Sequence, residues 1–448
     1  MLIQFKVANY RSIGDEQIIS FVPAMAQKEH QENILKSGKN NALNVLAFYG
    51  RNASGKSNLL NAMSLLDKMI NESIRSTSTT KLPFDPFLLR EGYNNKPTKL
   101  EITFVNEENL RYRYGFSYNE SNILKEWLYR KSVGREVYLF EREGDIIDLS
   151  SGFTGSKKLF EAAIEATRDN ALFLSTCDML NIKEAQTILK WFEKYFMIDG
   201  LNQKDDLRTV RLFESKKYNK EIVNYLESLN LDLIDIQIVE EDFEKDKLPN
   251  MLSRNLNNEL LKKIGDNKLF NVYSSHHIYN VNGDLTNKTF SWDFANRESS
   301  GTQKIFKISG PVIWALFKGG VLIMDEMEAA MHPIMTLSVI DLFLDPKTNP
   351  KKAQLIFATH DTNLLSYAKL RRDQICFAEK NKWESTELYY LSDFVYFEER
   401  NGQNFKSEKE RPDSDKEKRY FEGRYGAIPL LGEFHLKMQQ NLWPEEEN

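Results

Sequence analysis

Val45-Leu46-Ala47-Phe48-Tyr49-Gly50-Arg51-Asn52-Ala53-Ser54-Gly55-Lys56-Ser57 is the stretch on which the fold turns. Its apolar run predicts a buried strand, and the glycine-bounded turn feeds a segment with helical spacing, Leu59, Leu60, Met63 and Leu66. A buried strand, a turn of free backbone N–H groups and the positive end of a helix together form a cradle for polyphosphate. Gly50, Asn52 and Gly55 are candidate binding positions within the turn. Lys56 would reach the β and γ phosphates, the Ser57 hydroxyl would hold Mg²⁺, and Asn58 is the next candidate at the start of the helix.

Upstream, Ile3, Phe5 and Val7 alternate with Gln4 and Lys6, which predicts a half-buried strand. Asn9-Tyr10-Arg11-Ser12-Ile13 follows, then a second strand over Gln17 to Val22 and a polar connection. Arg11 is open to two readings, a solvated turn residue or a second cation near the phosphates. Downstream, Leu100, Ile102 and Phe104, then Tyr112, Tyr114, Phe116 and Tyr118, then Ile123 to Tyr129 alternate with polar residues. They predict an antiparallel meander whose aromatic stripe is core and whose other face is wet. From Lys157 the period becomes helical, through Leu159, Phe160, Ala163, Ile164, Ile182, Ile188, Leu189, Trp191, Phe192 and Phe196.

These segments divide the chain into an N-terminal lobe over 1–198, a mostly helical, charged insertion over 199–265 and a C-terminal lobe over 266–448. Within the insertion the pattern predicts a helix near Tyr218 to Leu229, a strand at Ile234, Ile236 and Ile238, and a helix near Leu252 to Ile264. A tight turn at Asn282-Gly283 and a strand through Phe290, Trp292 and Phe294 deliver Arg297-Glu298-Ser299-Ser300-Gly301-Thr302-Gln303-Lys304, just before a helical stretch, Ile305 to Phe317. This is a second helix terminus suited to anions. Val321-Leu322-Ile323-Met324 is a buried strand ending in Asp325-Glu326, where open α/β sheets bind ligands. Asp325 suits Mg²⁺ and Glu326 suits activation of an attacking water. Leu355 to Thr359 is a further strand, ending in His360-Asp361, and His360 beside a γ phosphate would sense the leaving group.

At 448 residues, 41% hydrophobic and 28% charged, the chain can bury one large core or two modest ones. Cys177 and Cys376 make no C-x-x-C, which fits a reducing cytoplasm. No apolar run is long enough to span a bilayer, so no membrane contact is expected. The net charge of -5 gives no global attraction to nucleic acid.

In order and spacing these segments resemble the ATP-binding heads of the ABC, SMC and RecF group of ATPases. Gly50 to Ser57 matches Walker A, Ser299 to Gln303 the signature turn, and Val321 to Glu326 Walker B with its catalytic glutamate. Ala329-Ala330-Met331-His332 stands at the D-loop and His360 at the switch histidine. Asn9-Tyr10-Arg11-Ser12, His332-Pro333, Ala358-Thr359-His360-Asp361 and Glu422-Gly423-Arg424-Tyr425-Gly426-Ala427-Ile428-Pro429 look more narrowly like the bacterial RloA and AbiL type, similar to the PtuA and AriA ATPases of phage defence. Thr302 replaces the second signature glycine, Met327-Glu328 the transporter Pro-Thr, and His332 the D-loop aspartate, which argues against a transporter subunit. No long heptad arms are present.

The resemblance implies an α/β ABC-type ATPase head: a mixed sheet flanked by helices, with an antiparallel meander and a helical insertion. It implies ATP and Mg²⁺ as cofactors, and homodimers or higher oligomers with ATP sandwiched between heads, Ser300 and Gly301 acting on the other copy. It also implies a slow, regulatory ATPase in the cytoplasm that gates a separately encoded, nuclease-like effector in antiphage defence. The alternative is a RecF-like ATPase that binds DNA itself. An intrinsic nuclease is disfavoured, because the sequence after His360 shows no H-N-H cluster or convincing D-x-D. The Gly423 to Pro429 segment reads as an ordered loop, with Arg424 binding a neighbour or capping the head.

Overall fold

The computed structural model describes residues 1–132, 134–199, 207–229, 231, 233–242, 268–400, 403–409, 411 and 414–428. Among them the central sheet runs Tyr195–Asp199, Val321–Asp325, Gln354–Ala358, Val45–Tyr49, Ile375–Lys380 and Thr386–Tyr390. Neighbours are parallel except the last pair. Val45–Tyr49, Val321–Asp325 and Gln354–Ala358 are buried along their whole length, as unbroken apolar strands require when both faces are covered. Alternate side chains serve two cores. Leu46, Phe48, Ile323 and Ile356 pack with Leu59, Leu60, Met63 and Leu66 of the helix Lys56–Glu72. Val45, Ala47, Tyr49, Leu322, Met324 and Phe357 pack against Ile305, Ile308 and Val312 of Ser300–Lys318 and against Val339 and Ile340 of Pro333–Leu344.

The meander is one antiparallel sheet, ordered Ile146–Leu149, Val137–Glu143, Ile123–Lys131, Arg111–Tyr118, Thr98–Val105, Leu2–Ala8 and Gln17–Ser20. Its aromatic stripe, Phe104, Tyr112, Tyr114, Phe116 and Tyr118, is core. Gln354 fastens this sheet to the central one: its Oε1 accepts from Leu2 N at 2.5 Å, and its Nε2 donates to the carbonyls of Leu2 and Leu43 at 3.0 and 2.9 Å. Inside the meander Glu126 is fully buried, taking Tyr114 Oη at 2.9 Å and the N–H groups of Phe173 and Leu174 at 2.7 and 3.0 Å.

Two local expectations change. The helix Lys183–Phe192 stops before Phe196, which lies instead in the edge strand Tyr195–Asp199 beside Val321–Asp325. Glu193-Lys194 makes the turn between them, and parallel pairing overrides the i,i+4 spacing of Phe192 and Phe196. Phe294 leaves its strand to open the short helix Phe294–Arg297, capped by Asp293. Within 199–265 the helices Leu207–Glu214 and Asn219–Ser228 place Val210, Phe213, Ile222 and Leu226 in the second core. Asp235–Asp242 pairs with the hairpin Lys268–Tyr279 and Leu285–Asp293. The helix expected at Leu252 to Ile264 lies outside the described residues.

Candidate functional site

The strand Val45–Tyr49 breaks at Gly50 because the next residues wrap back over the strand end. Gly55, the N-cap of Lys56–Glu72, has φ 104°, and no side chain caps that helix. A Cβ at Gly55 would lie 2.0 Å from Thr386 Oγ1 and 2.7 Å from Ser12 Oγ. Gly55→Ala should therefore strain the backbone by about 1–2 kcal/mol and deform the loop. Nucleotide affinity is expected to fall about tenfold or more by titration; affinity equal to that of the unaltered chain would show that the loop shape is not what binds.

Lys56 is buried, and its Nζ donates to Gly50 O at 2.8 Å and lies 3.1 Å from His360 Nε2. Burial pulls its pKa below the ordinary value, while the carboxylates of Asp325, Glu328 and Glu326 push the other way. Ser57 and Asn52 are exposed. Asn58 Nδ2 donates to Ser12 Oγ at 2.8 Å, and that hydroxyl lies 2.9 Å from Thr386 Oγ1, which donates to Ser54 O at 2.8 Å. Asn58 thereby ties the loop helix to the turn after the first strand. Arg11 pairs with Asp85 at 2.9 Å, its guanidinium over the Tyr10 ring.

Asp325 ends its strand buried, next but one to the loop strand in the sheet, and its Oδ1 accepts from Glu326 N at 3.1 Å. Glu326 has φ 44°, a left-handed conformation uncommon for a side-chain-bearing residue and of the kind that gathers at functional sites. Glu328 Oε1 accepts from His360 N at 2.5 Å, and its Oε2 is buried without a hydrogen-bond partner among the described residues. Burial lowers the pKa of His360 first, and the Lys56 cation adds to this, against Glu328 and Asp325. The sequence reading missed a role for Glu328; a third carboxylate two residues beyond Glu326 was the available signal.

Ser300 and Gly301 open the helix Ser300–Lys318, whose N-cap Ser299 accepts from Thr302 N at 3.1 Å. A Cβ on Gly301 would come within 3.1 Å of Ala330 O, so this turn sits against Ala330. Among the described residues no hydrogen bond joins Ser300 or Gly301 to the loop at 50–57. His332 caps Pro333–Leu344 through Nδ1, which accepts from Ile334 N.

On the far side of the loop strand, Tyr49 meets the Tyr420 ring edge-on, with centroids 6.2 Å apart. Tyr425 and Ala427 are fully buried, Tyr420 Oη donates to Ala427 O, and Tyr389 Oη donates to Tyr425 O. The described part of the Gly423 segment thus packs on the head, while Arg424 is exposed and pairs with Glu422.

Residues 45–366 match the family described as "AAA domain, putative AbiEii toxin, Type IV TA system". The chain belongs to that family. An α/β ATPase head is accordingly its fold class, and this AAA protein carries its loop, carboxylates and histidine on adjacent parallel strands. No curated protein matches the sequence. Among solved structures it is similar to an SMC head bound to the C-winged helix domain of ScpA, at 15% identity over 87% of this chain and 98% of that one, TM-score 0.43. It is also similar to an SMC head domain from Thermotoga maritima, at 12% identity over 87% and 98%, TM-score 0.39. A third is the recombination mediator protein RecF, at 17% identity over 87% and 98%, TM-score 0.29. No helix among the described residues is long and apolar enough to cross a membrane.

Proposed function

We propose that this AAA protein is an SMC- and RecF-like ATP switch whose two nucleotide sites are completed only when two copies meet. Gly50, Asn52, Gly55 and Lys56 would hold the polyphosphate, and Ser57 and Asp325 would hold Mg²⁺ beside it, supplying charge to the phosphates. Glu326 accepts a proton from the attacking water, and His360 reports the γ phosphate to Glu328. ATP and water become ADP and phosphate. The observation that carries the reading is that Ser57 and Ser300, at two helix ends suited to anions, are both exposed, with no hydrogen bond from Ser300 or Gly301 to the loop among the described residues. Ser300 and Gly301 then serve a second copy.

Glu326→Gln should bind ATP and stall before hydrolysis. Its mass in ATP and Mg²⁺ is expected to double from 52.3 kDa. A monomer with ATP bound would overturn the composite site. We further infer that the output lies in a separately encoded, nuclease-like effector of a toxin-antitoxin or abortive-infection system, in keeping with the family description. Failure of the adjacent gene's product to co-purify, with or without ATP, would remove that effector from the account. Salt-dependent DNA binding by the isolated chain would instead favour a RecF-like role.

A further inference from the structure

Glu298 stands immediately before the N-cap of the Ser300 helix, and its Oε1 gathers three groups. Ser274 Oγ donates at 2.6 Å, Trp292 Nε1 donates at 2.8 Å, and His276 Nε2 lies at 2.8 Å. They come from both strands of the hairpin Lys268–Tyr279 and Leu285–Asp293. The His276 and Trp292 rings lie over one another with centroids 4.0 Å apart. Burial raises the pKa of Glu298, but the bonds from Ser274, Trp292 and His276 outweigh it and leave a net lowering.

On the other side, Glu298 O accepts from Gln303 Nε2 at 3.0 Å, and the same amide reaches Ala295 O at 2.9 Å. Hairpin, carboxylate and first helical turn are therefore one connected network. Beyond this anchor the hairpin exposes Tyr279, Val281, Leu285 and Phe290. A charged acceptor taking several donors in a half-buried place is the strong kind of hydrogen-bond junction. Displacing the hairpin cannot leave the Ser300 turn where it was.

We propose that Glu298 is a positioning residue that locks the Ser300–Gly301 turn to the hairpin, so that the hairpin sets how well this turn closes on ATP held by a second copy. The inference rests on the composite site proposed above. Glu298→Gln keeps the shape and removes the charge; Trp292→Phe removes one donor without touching the helix. In both, ATP affinity of the single chain should stay within about twofold, while the ATP-dependent dimer weakens and turnover at saturating ATP falls about tenfold, a factor that one charge-assisted hydrogen bond supplies. The double variant should be no worse than Glu298→Gln, because groups in one network do not add. Equal loss of ATP affinity and thermal stability would show a merely structural role and overturn the proposal. So would dimerisation and turnover unchanged in Glu298→Gln while Ser300→Arg abolishes both. If Ser300→Arg also left both intact, the composite site would fall, and this inference with it.

Discussion

Alanine at Lys56 is expected to lower ATP turnover by about 10²–10³-fold, the loss typical of removing one preorganised charge from a reacting oxyanion. Among the described residues the lysine bonds the carbonyls of Gly50 and Arg51, at 2.8 and 3.4 Å, and the His360 ring. These place the ammonium at the mouth of its own loop, where a phosphate oxygen would draw it away. The thermal midpoint of the ligand-free variant should move by only a few degrees, the scale of about 1 kcal/mol. ATP, which binds only the folded state, should no longer raise that midpoint. The steady-state phosphate-release rate is the deciding measurement. A rate like that of the unaltered chain would take the loop out of the reaction, and protection against phage that survived the change would separate ATP from any defence role.

Glu126→Ala should cost about 3–5 kcal/mol of folding stability, the penalty for breaking a buried ion pair from one side. Arg142 lies 3.8 Å from Glu126, the two side chains 2% and 0% exposed. The Arg142 guanidinium also donates to the carbonyls of Ala171 and Gly144 at 2.6 and 2.8 Å, so it would stay in place and lose only its counter-charge. The same carboxylate caps the start of the helix Phe173–Met179 through the N–H groups of Phe173 and Leu174, and those groups would be orphaned too. Denaturant titration measures the loss. A change below about 1 kcal/mol, the worth of one ordinary hydrogen bond, would mean that water or a rearranged side chain replaces the carboxylate. Nucleotide affinity extrapolated to the folded fraction should not change, since these groups belong to the meander.

These two residues mark what a sequence reveals and what it hides. Lys56 was legible because its strand, turn and helix are consecutive, and the strands ending in Asp325 and His360 were legible as unbroken apolar runs. Glu126 was not: alternation assigns a charged strand residue to the wet face, and its counter-charge, Arg142, comes from the neighbouring strand. Phe196 was drawn into a helix by its spacing from Phe192, because nothing local announces a parallel partner beginning at Val321. Glu298 was quoted as part of a motif without a task, since its partners stand on a hairpin 6 to 24 residues earlier. Asn58 was read toward phosphate and Arg11 was left between phosphate and a solvated turn; their side chains bond Ser12 and Asp85. Side chains whose partners lie on another element are where reading by local pattern ends.

The loop strand also has a place in time. Val45–Tyr49 leaves a ribosome long before its neighbours in the sheet, Gln354–Ala358 and Ile375–Lys380. Gln374 donates to Val45 O across 329 residues of chain. Until those late strands emerge, an apolar strand waits with both edges open, the condition in which strands find wrong partners. At about 5–20 residues per second, that wait lasts tens of seconds. A growing chain of this AAA protein therefore holds its loop strand without sheet partners until both late strands have emerged.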